Sequence, residues 1–250
     1  MDFALVFVVA LLASILTFFS GFGLGTILTP VFILFFPTPI AIGLTAIVHL
    51  LNNLFKLGLL YQYIQIKVLA VFGGFGIVGS IAGAYLLGYL DEGVIAYAQV
   101  SWLNLIIGAL FLIFAILEMI PDGKQKLSIN QTSLMFGGLS SGFFGGLSGH
   151  QGALRSIFLL KYGLNKEAFV ATGVAIACFI DVGRLSIYYN ELVVHINKES
   201  LPFLLIALIG AIIGASIGRQ FLKKINIRFI NISVGILIAL VGIALITGLI

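Results

Sequence analysis

Long stretches of this chain carry no charge. No Asp, Glu, Lys or Arg occurs from Phe3 to Phe55, and Val68–Leu90, Gly93–Leu117 and Phe229–Ile250 are equally clean. A helix needs roughly 20 apolar residues to cross a bilayer. Lipid offers backbone groups no water to bond, so such runs must be helical. The pattern predicts spans over 2–20 continuing through 26–36, then 39–60, 67–88, 101–118, 132–145 continuing through 153–163, 168–189, 200–220 and 228–249. Short polar loops separate them: Gln62–Lys67, Asp91–Gln99, Pro121–Asn130, Lys161–Lys166, Asn190–Glu199 and Lys223–Arg228. Tyr61, Tyr63, Tyr188 and Tyr189 stand at span ends, where interfacial aromatics belong.

The pattern also repeats. Gly21-Phe22-Gly23-Leu24-Gly25 interrupts the first apolar stretch, and Gly145-Gly146-Leu147-Ser148-Gly149-His150-Gln151-Gly152 interrupts the fifth. The phrase Ala41-Ile42-Gly43-Leu44-Thr45 is answered by Ala168-Phe169-Val170-Ala171-Thr172. Gly79-Ser80-Ile81-Ala82-Gly83 is answered by Gly214-Ala215-Ser216-Ile217-Gly218, both small-xxx-small patterns. The expected architecture is an all-α polytopic membrane protein of about eight transmembrane helices. It divides into two four-span repeats, 1–118 and 130–250, joined by a connecting loop at 119–129, with spans 1 and 5 broken at the glycines. Four crossings per unit imply parallel repeats, because pieces of about 11 residues at 1.5 Å rise are too short to cross on their own.

Composition narrows the class. Of 250 residues, 61% are hydrophobic and 9% charged, too few charges to cover a water-facing surface. Met1-Asp2 puts a negative charge where a secretory signal has a positive one. The only cysteine, Cys178, lies in an apolar run, so no disulfide framework or cysteine metal site is expected. The net charge of +4 comes without an aromatic-studded basic patch, which argues against nucleic acid. Lys161, Lys166, Arg219, Lys223, Lys224 and Arg228 are expected on one side and Lys67, Lys124, Lys126 and Lys198 on the other. The positive-inside tendency then places a multi-pass protein in the cell membrane with both termini outside the cytoplasm.

Glycine-broken helices in corresponding positions of two halves point to a transporter site. The N–H groups and positive dipole end exposed at such a break suit an anion. Gly23, Gly25, Thr26 and Gly152 belong to the two breaks. Thr45, His49, Asn52 and Lys56 recur at steps of three and four, so they share one helical face with Asn53 beside it. Lys56 either snorkels to the interface or lines a cavity. His49 is either an interhelical hydrogen bond or a ligand. His150 and Gln151 sit in the second break, where the histidine either caps a half-helix or binds an anion or a proton. Asp181 and Arg184, three apart, form either a structural ion pair or a coupling site. Arg155 falls in the opening turn of the half-helix, an unfavourable place for a cation unless an anion, or Asp181, completes the site.

Ser20-Gly21-Phe22-Gly23-Leu24-Gly25 with Pro30, the Ala-Thr phrase in each half, and Gly-Ala-Ser-Ile-Gly-Arg at 214–219 followed by Leu222-Lys223-Lys224 resemble the TauE/SafE sulfite exporter family. The stretch Ser148-Gly149-His150-Gln151-Gly152-Ala153-Leu154-Arg155-Ser156 resembles a branch of it with a Gly-His-Gln-Gly-Ala-Leu-Arg phrase. The resemblance implies a secondary transporter of a small anion, with sulfite, sulfonates or related sulfur or organic anions as substrate class. A proton or Na⁺ would be the coupling ion.

Other readings fit less well. Gly146-Leu147-Ser148-Gly149 matches the Gly-x-Ser-Gly phrase of rhomboid-like serine proteases, but His150 on the same helix would point away, and Trp102 is followed by Leu103. A metal-ion transporter would want carboxylates or several His and Cys ligands, and Asp181 is the only carboxylate well inside a span. No phosphate-cradling loop is present for ATP. The sequence therefore reads as a transporter without catalytic chemistry, cofactor or metal.

Overall fold

In the computed structural model the described residues are 2–20, 23–91, 95–97, 100–119, 130–196, 198–221 and 227–250. Helices dominate: α1 (Asp2–Ser20), α2 (Leu24–Ile33), α3 (Thr38–Leu60), α4 (Ile66–Val68), α5 (Gly74–Asp91), α6 (Trp102–Met119), α7 (Gln131–Ser148), α8 (Gly152–Tyr162), α9 (Lys166–His195), α10 (Ser200–Phe221) and α11 (Ile227–Thr247). A π-helical turn, Leu69–Gly73, joins α4 to α5. A small hairpin pairs Ile95–Tyr97 with Val100–Ser101. Among the described residues five helical stretches are long and apolar enough to cross a membrane: Thr38–Tyr63, Ile66–Leu90, Trp102–Met119, Lys166–His195 and Ser200–Arg219. Shorter apolar helices cover Asp2–Phe18, Leu24–Ile33 and Ile232–Thr247. The chain is an all-α polytopic membrane protein.

Glycines set the closest helix approaches. A Cβ on Gly142 would lie 2.1 Å from the Gly76 carbonyl oxygen, and one on Gly146 2.1 Å from that of Ser80. Phe72 meets Gly138 in the same register, so α5 and α7 run parallel in backbone contact. On the other flank Phe7, Leu11 and Ile15 meet Gly210, Gly214 and Gly218, so α1 and α10 also run parallel. Small residues allow this where lipid supplies no hydrophobic drive between helices. The central pair is different. Gly43 of α3 packs on Leu192 of α9, His49 on Asp181, and Lys56 shares a pocket with Val174, so α3 and α9 are antiparallel. Gly108 against Gly242 and Ala115 against Gly235 make α6 and α11 antiparallel too.

These directions correct the expected topology. Phe3, Phe35 and Phe36 gather on Phe203 at ring separations of 4.6, 5.2 and 5.2 Å. The chain after α2 is thus back at the end where α1 began. Likewise Gly137, near the start of α7, packs on Phe158 of α8, and Gln131 and Tyr162 border one groove. Each break is a reversal and not an interruption of one span. The chain thus runs back after each break, and the antiparallel α3–α9 and α6–α11 pairs relate the two halves by inversion where a parallel relation was expected. Exchanging the halves carries the α1–α10 pairing onto α7–α5 and leaves α3–α9 and α6–α11 paired. The length argument failed because α2 and α8 start mid-bundle, so they have only half the thickness to cover.

Candidate functional site

The two reversals meet at the centre. Gly149 ends α7 in the left-handed conformation (φ 80°), its N–H bonded to Gly145 O. Only a glycine takes that turn cheaply. Gly23 caps α2, and a Cβ on Gly25 would stand 3.3 Å from the Gly149 carbonyl oxygen. The N-termini of α2 and α8 thus face the middle of the bundle from opposite sides. Thr26 and Gly152 are buried in their first turns.

A buried polar network crosses this point. Asp181 Oδ2 is 2.6 Å from His49 Nδ1, joining α9 to α3. Asp181 Oδ1 accepts from Gln151 Nε2 (2.9 Å), Arg184 Nε (3.0 Å) and Arg184 Nη2 (2.7 Å). Arg184 Nη1 also donates to Gly145 O at 3.0 Å, tying the pair to the end of α7. The Asp181–Arg184 ion pair is thus also a brace, and the pair is fully buried. Gln151 passes the connection on, since its Oε1 accepts from Arg155 Nη1 at 3.0 Å while its carbonyl accepts from Ser141 Oγ. Arg155 therefore reaches Asp181 through Gln151, an arrangement between the two partners the sequence offered.

Beyond Gln151 lies a small pocket lined by Thr17, Asn53, Lys56, Arg155, Phe169 and Gly173 among others. Lys56 is 2% exposed, which rules out snorkelling to the surface. Its ammonium lies 5.3 Å from the Phe18 ring centroid. With its amide oriented to satisfy both ends, Asn52 accepts from Lys56 Nζ (3.2 Å) and donates to Ala211 O and Ser14 Oγ. Asn52 therefore fastens α3 to α1 and α10 and steadies Lys56 instead of lining the pocket. Among the described residues the buried Thr17 hydroxyl has no hydrogen-bond partner. The centre formally holds three cations, Lys56, Arg155 and Arg184, against one carboxylate, Asp181.

His150 is turned elsewhere. Its Nδ1 lies 2.9 Å from Ser148 O, and its ring sits between Phe111 and Phe114 at 4.5 and 5.3 Å. It closes the end of α7 and does not border the Lys56–Arg155 pocket. Ser148 Oγ donates to Phe144 O at 2.9 Å, so no base activates it as a protease would require. No three His, Cys, Asp or Glu side chains among the described residues stand close enough to hold a metal ion. Sequence reading did not single out Thr17, and it left Asn53 as a bystander. Thr17 recurs at steps of three with Ser14 and Ser20, a polar stripe on α1 that sequence reading passed over.

Two half-helices thus turn their N-termini toward a cation-rich centre. The model of the family described as Sulfite exporter TauE/SafE matches residues 6–245. The chain belongs to the TauE/SafE sulfite exporter family. It is therefore a membrane transport protein for sulfite or related anions, of a family of transporters and not of enzymes. Neither a curated protein nor a solved structure matches the chain, so the assignment rests on the family model.

Proposed function

We propose that this protein is a secondary transporter of a small sulfur oxyanion or organic sulfonate, bound at the pocket formed by Lys56, Arg155, Thr17 and Asn53. The observation that carries the reading is the placing of Arg155 in the first turn of α8, across the pocket from Lys56. A helix N-terminus repels a cation. Lys56 and Arg155 give the buried pocket a positive wall, which suits a negative guest. A guanidinium grips an oxyanion with two hydrogen bonds, and Lys56 and the Thr17 hydroxyl add donors from the other wall. The helices α2 and α8 add dipole without adding a charged side chain.

The inverted arrangement also bears on orientation. Among the described residues Lys67, Lys161, Lys166, Arg219 and Arg228 fall at one face. The other face carries Lys198 with Asp2, Glu191 and Glu199. The basic face is cytoplasmic on this reading, and both termini lie outside. Lys56 and Val174 stand on the basic side of the His49–Asp181 contact, so the pocket takes its anion from the cytoplasmic side.

The test is uptake and efflux of labelled sulfite, thiosulfate, methanesulfonate and small carboxylates by the reconstituted protein under imposed pH and Na⁺ gradients. Sulfur oxyanions should be carried and compete with one another. Saturable transport of carboxylates or cations alone would overturn the substrate class.

A further inference from the structure

One member of the central network is shared between two jobs. His49 Nδ1 is committed to Asp181 at 2.6 Å, which leaves Nε2 as its second hydrogen-bonding position. Asn53, one turn further along α3, brings its Nδ2 to 3.2 Å from both Nδ1 and Nε2. The Asp181 carboxylate only accepts, so in the neutral ring the proton stands on Nδ1, and Nε2 is the nitrogen left to accept from that amide. Asn53 also lines the pocket with Lys56 and Arg155. Nε2 itself faces Gly23 at the first reversal, where a Cβ would approach to 2.8 Å. The ring thus touches the break of one half, the carboxylate of the other, and a side chain of the anion pocket.

We infer that His49 is the proton-coupling site and that Asn53 transmits its protonation to the anion pocket. The inference rests on the anion-binding reading above. A proton arriving from water on Nε2 turns that nitrogen from acceptor to donor, and the Asn53 NH₂ group can no longer face it. Rotation about the terminal torsion exchanges the two ends of the amide, a soft motion for Asn. Oδ1 then accepts from Nε2–H, and Nδ2 is released as a donor for the pocket. The imidazolium remains paired with Asp181, and its charge adds to the attraction for an anion. Protonation of His49 and anion binding therefore favour each other, and by linkage each bound anion raises proton affinity by the same factor. The charged groups around the ring are Asp181 and Arg184 from α9 and Arg155 from α8. Lys56 lies two turns along its own helix. The facing part of α2 holds only Gly23 and Gly25, and α1 and α10 come near through Ser14 and Ala211.

The test uses the full-length protein in detergent with thiosulfate and methanesulfonate, which do not themselves take up protons over about pH 5–8. Binding is followed with labelled thiosulfate, and proton uptake with a pH indicator in weak buffer. Wild type should take up about one proton per anion bound in the alkaline part of that range, and affinity should rise as pH falls by up to about tenfold per unit. His49→Gln should still bind but without proton uptake or pH slope. Asn53→Leu keeps the His49–Asp181 contact and supplies a second route should His49→Gln fail to fold. It should bind more weakly, with the slope flattened. Wild-type binding that is independent of pH, or accompanied by proton release, overturns the coupling while leaving the anion site standing. No binding of either anion at any pH removes the anion site and the coupling with it.

Discussion

The two reversals share a backbone and differ in chemistry. Aligned through Thr45 and Thr172, the first half has Gly23, Leu24, Gly25 and Leu28 where the second has His150, Gln151, Gly152 and Arg155. Both present a buried helix N-terminus to the centre, but only the second brings side chains that can bind charge. The long central helices differ in the complementary way. His49, Asn53 and Lys56 of α3 stand opposite Ile176, Ile180 and Gly183 in that alignment, while Asp181 and Arg184 of α9 correspond to Leu54 and Leu57. Because α3 and α9 are antiparallel, the two unlike stripes meet at mid-bundle and complete one another. The two reversals are alike in backbone, and the charged side chains gather in one asymmetric cluster.

The difference can be attacked where it is largest. Asp181→Asn removes the only carboxylate that holds Arg184, His49 and Gln151 together. Leaving Arg184 buried without its counter-ion should cost about 3–5 kcal/mol, read as a fall in thermal stability in detergent. A variant as stable as wild type would mean the network is not a brace.

Making the second break copy the first is the next largest change. Arg155→Leu should reduce thiosulfate binding by about a hundredfold, and Arg155→Lys by about tenfold, since an ammonium cannot reproduce the bidentate grip. Both should fold, because Leu28 already occupies the matching place in α2. Unaltered affinity in a well-folded Arg155→Leu protein would move the site elsewhere.

Gly23→Ala tests the apolar break. Its Cβ would press on His49 Nε2 at 2.8 Å, so transport should fall severalfold with a stability loss of about 1–2 kcal/mol. Normal transport with an unchanged pH profile would show that His49 tolerates displacement. His150→Gln should do least. It loses a contact to Ser148 O and two ring contacts, costing about 1 kcal/mol, and should leave the pH dependence of transport intact. A flattened profile would falsify the assignment of coupling to His49 alone.

What the chain fixes by itself is what depends on neighbours in sequence. Apolar runs must become helices in lipid whatever surrounds them, so α3, α6 and α10 were legible almost to their ends, while α9 runs on to His195, past the expected end at 189. The glycine phrases announced both breaks, and steps of three and four placed His49, Asn52 and Lys56 on one face without tertiary knowledge. Tertiary structure alone decided direction and partnership. An apolar run broken by glycines reads the same whether the chain continues or doubles back, because backbone freedom permits both. Only contacts such as Phe3 and Phe36 on Phe203 choose the reversal. His49 and Asp181 are 132 positions apart, and no local periodicity can join them. Arg155 was expected to meet an anion or Asp181 directly, yet a glutamine stands between them, because the burial of a cation is settled by the full set of groups that the folded helices bring around it.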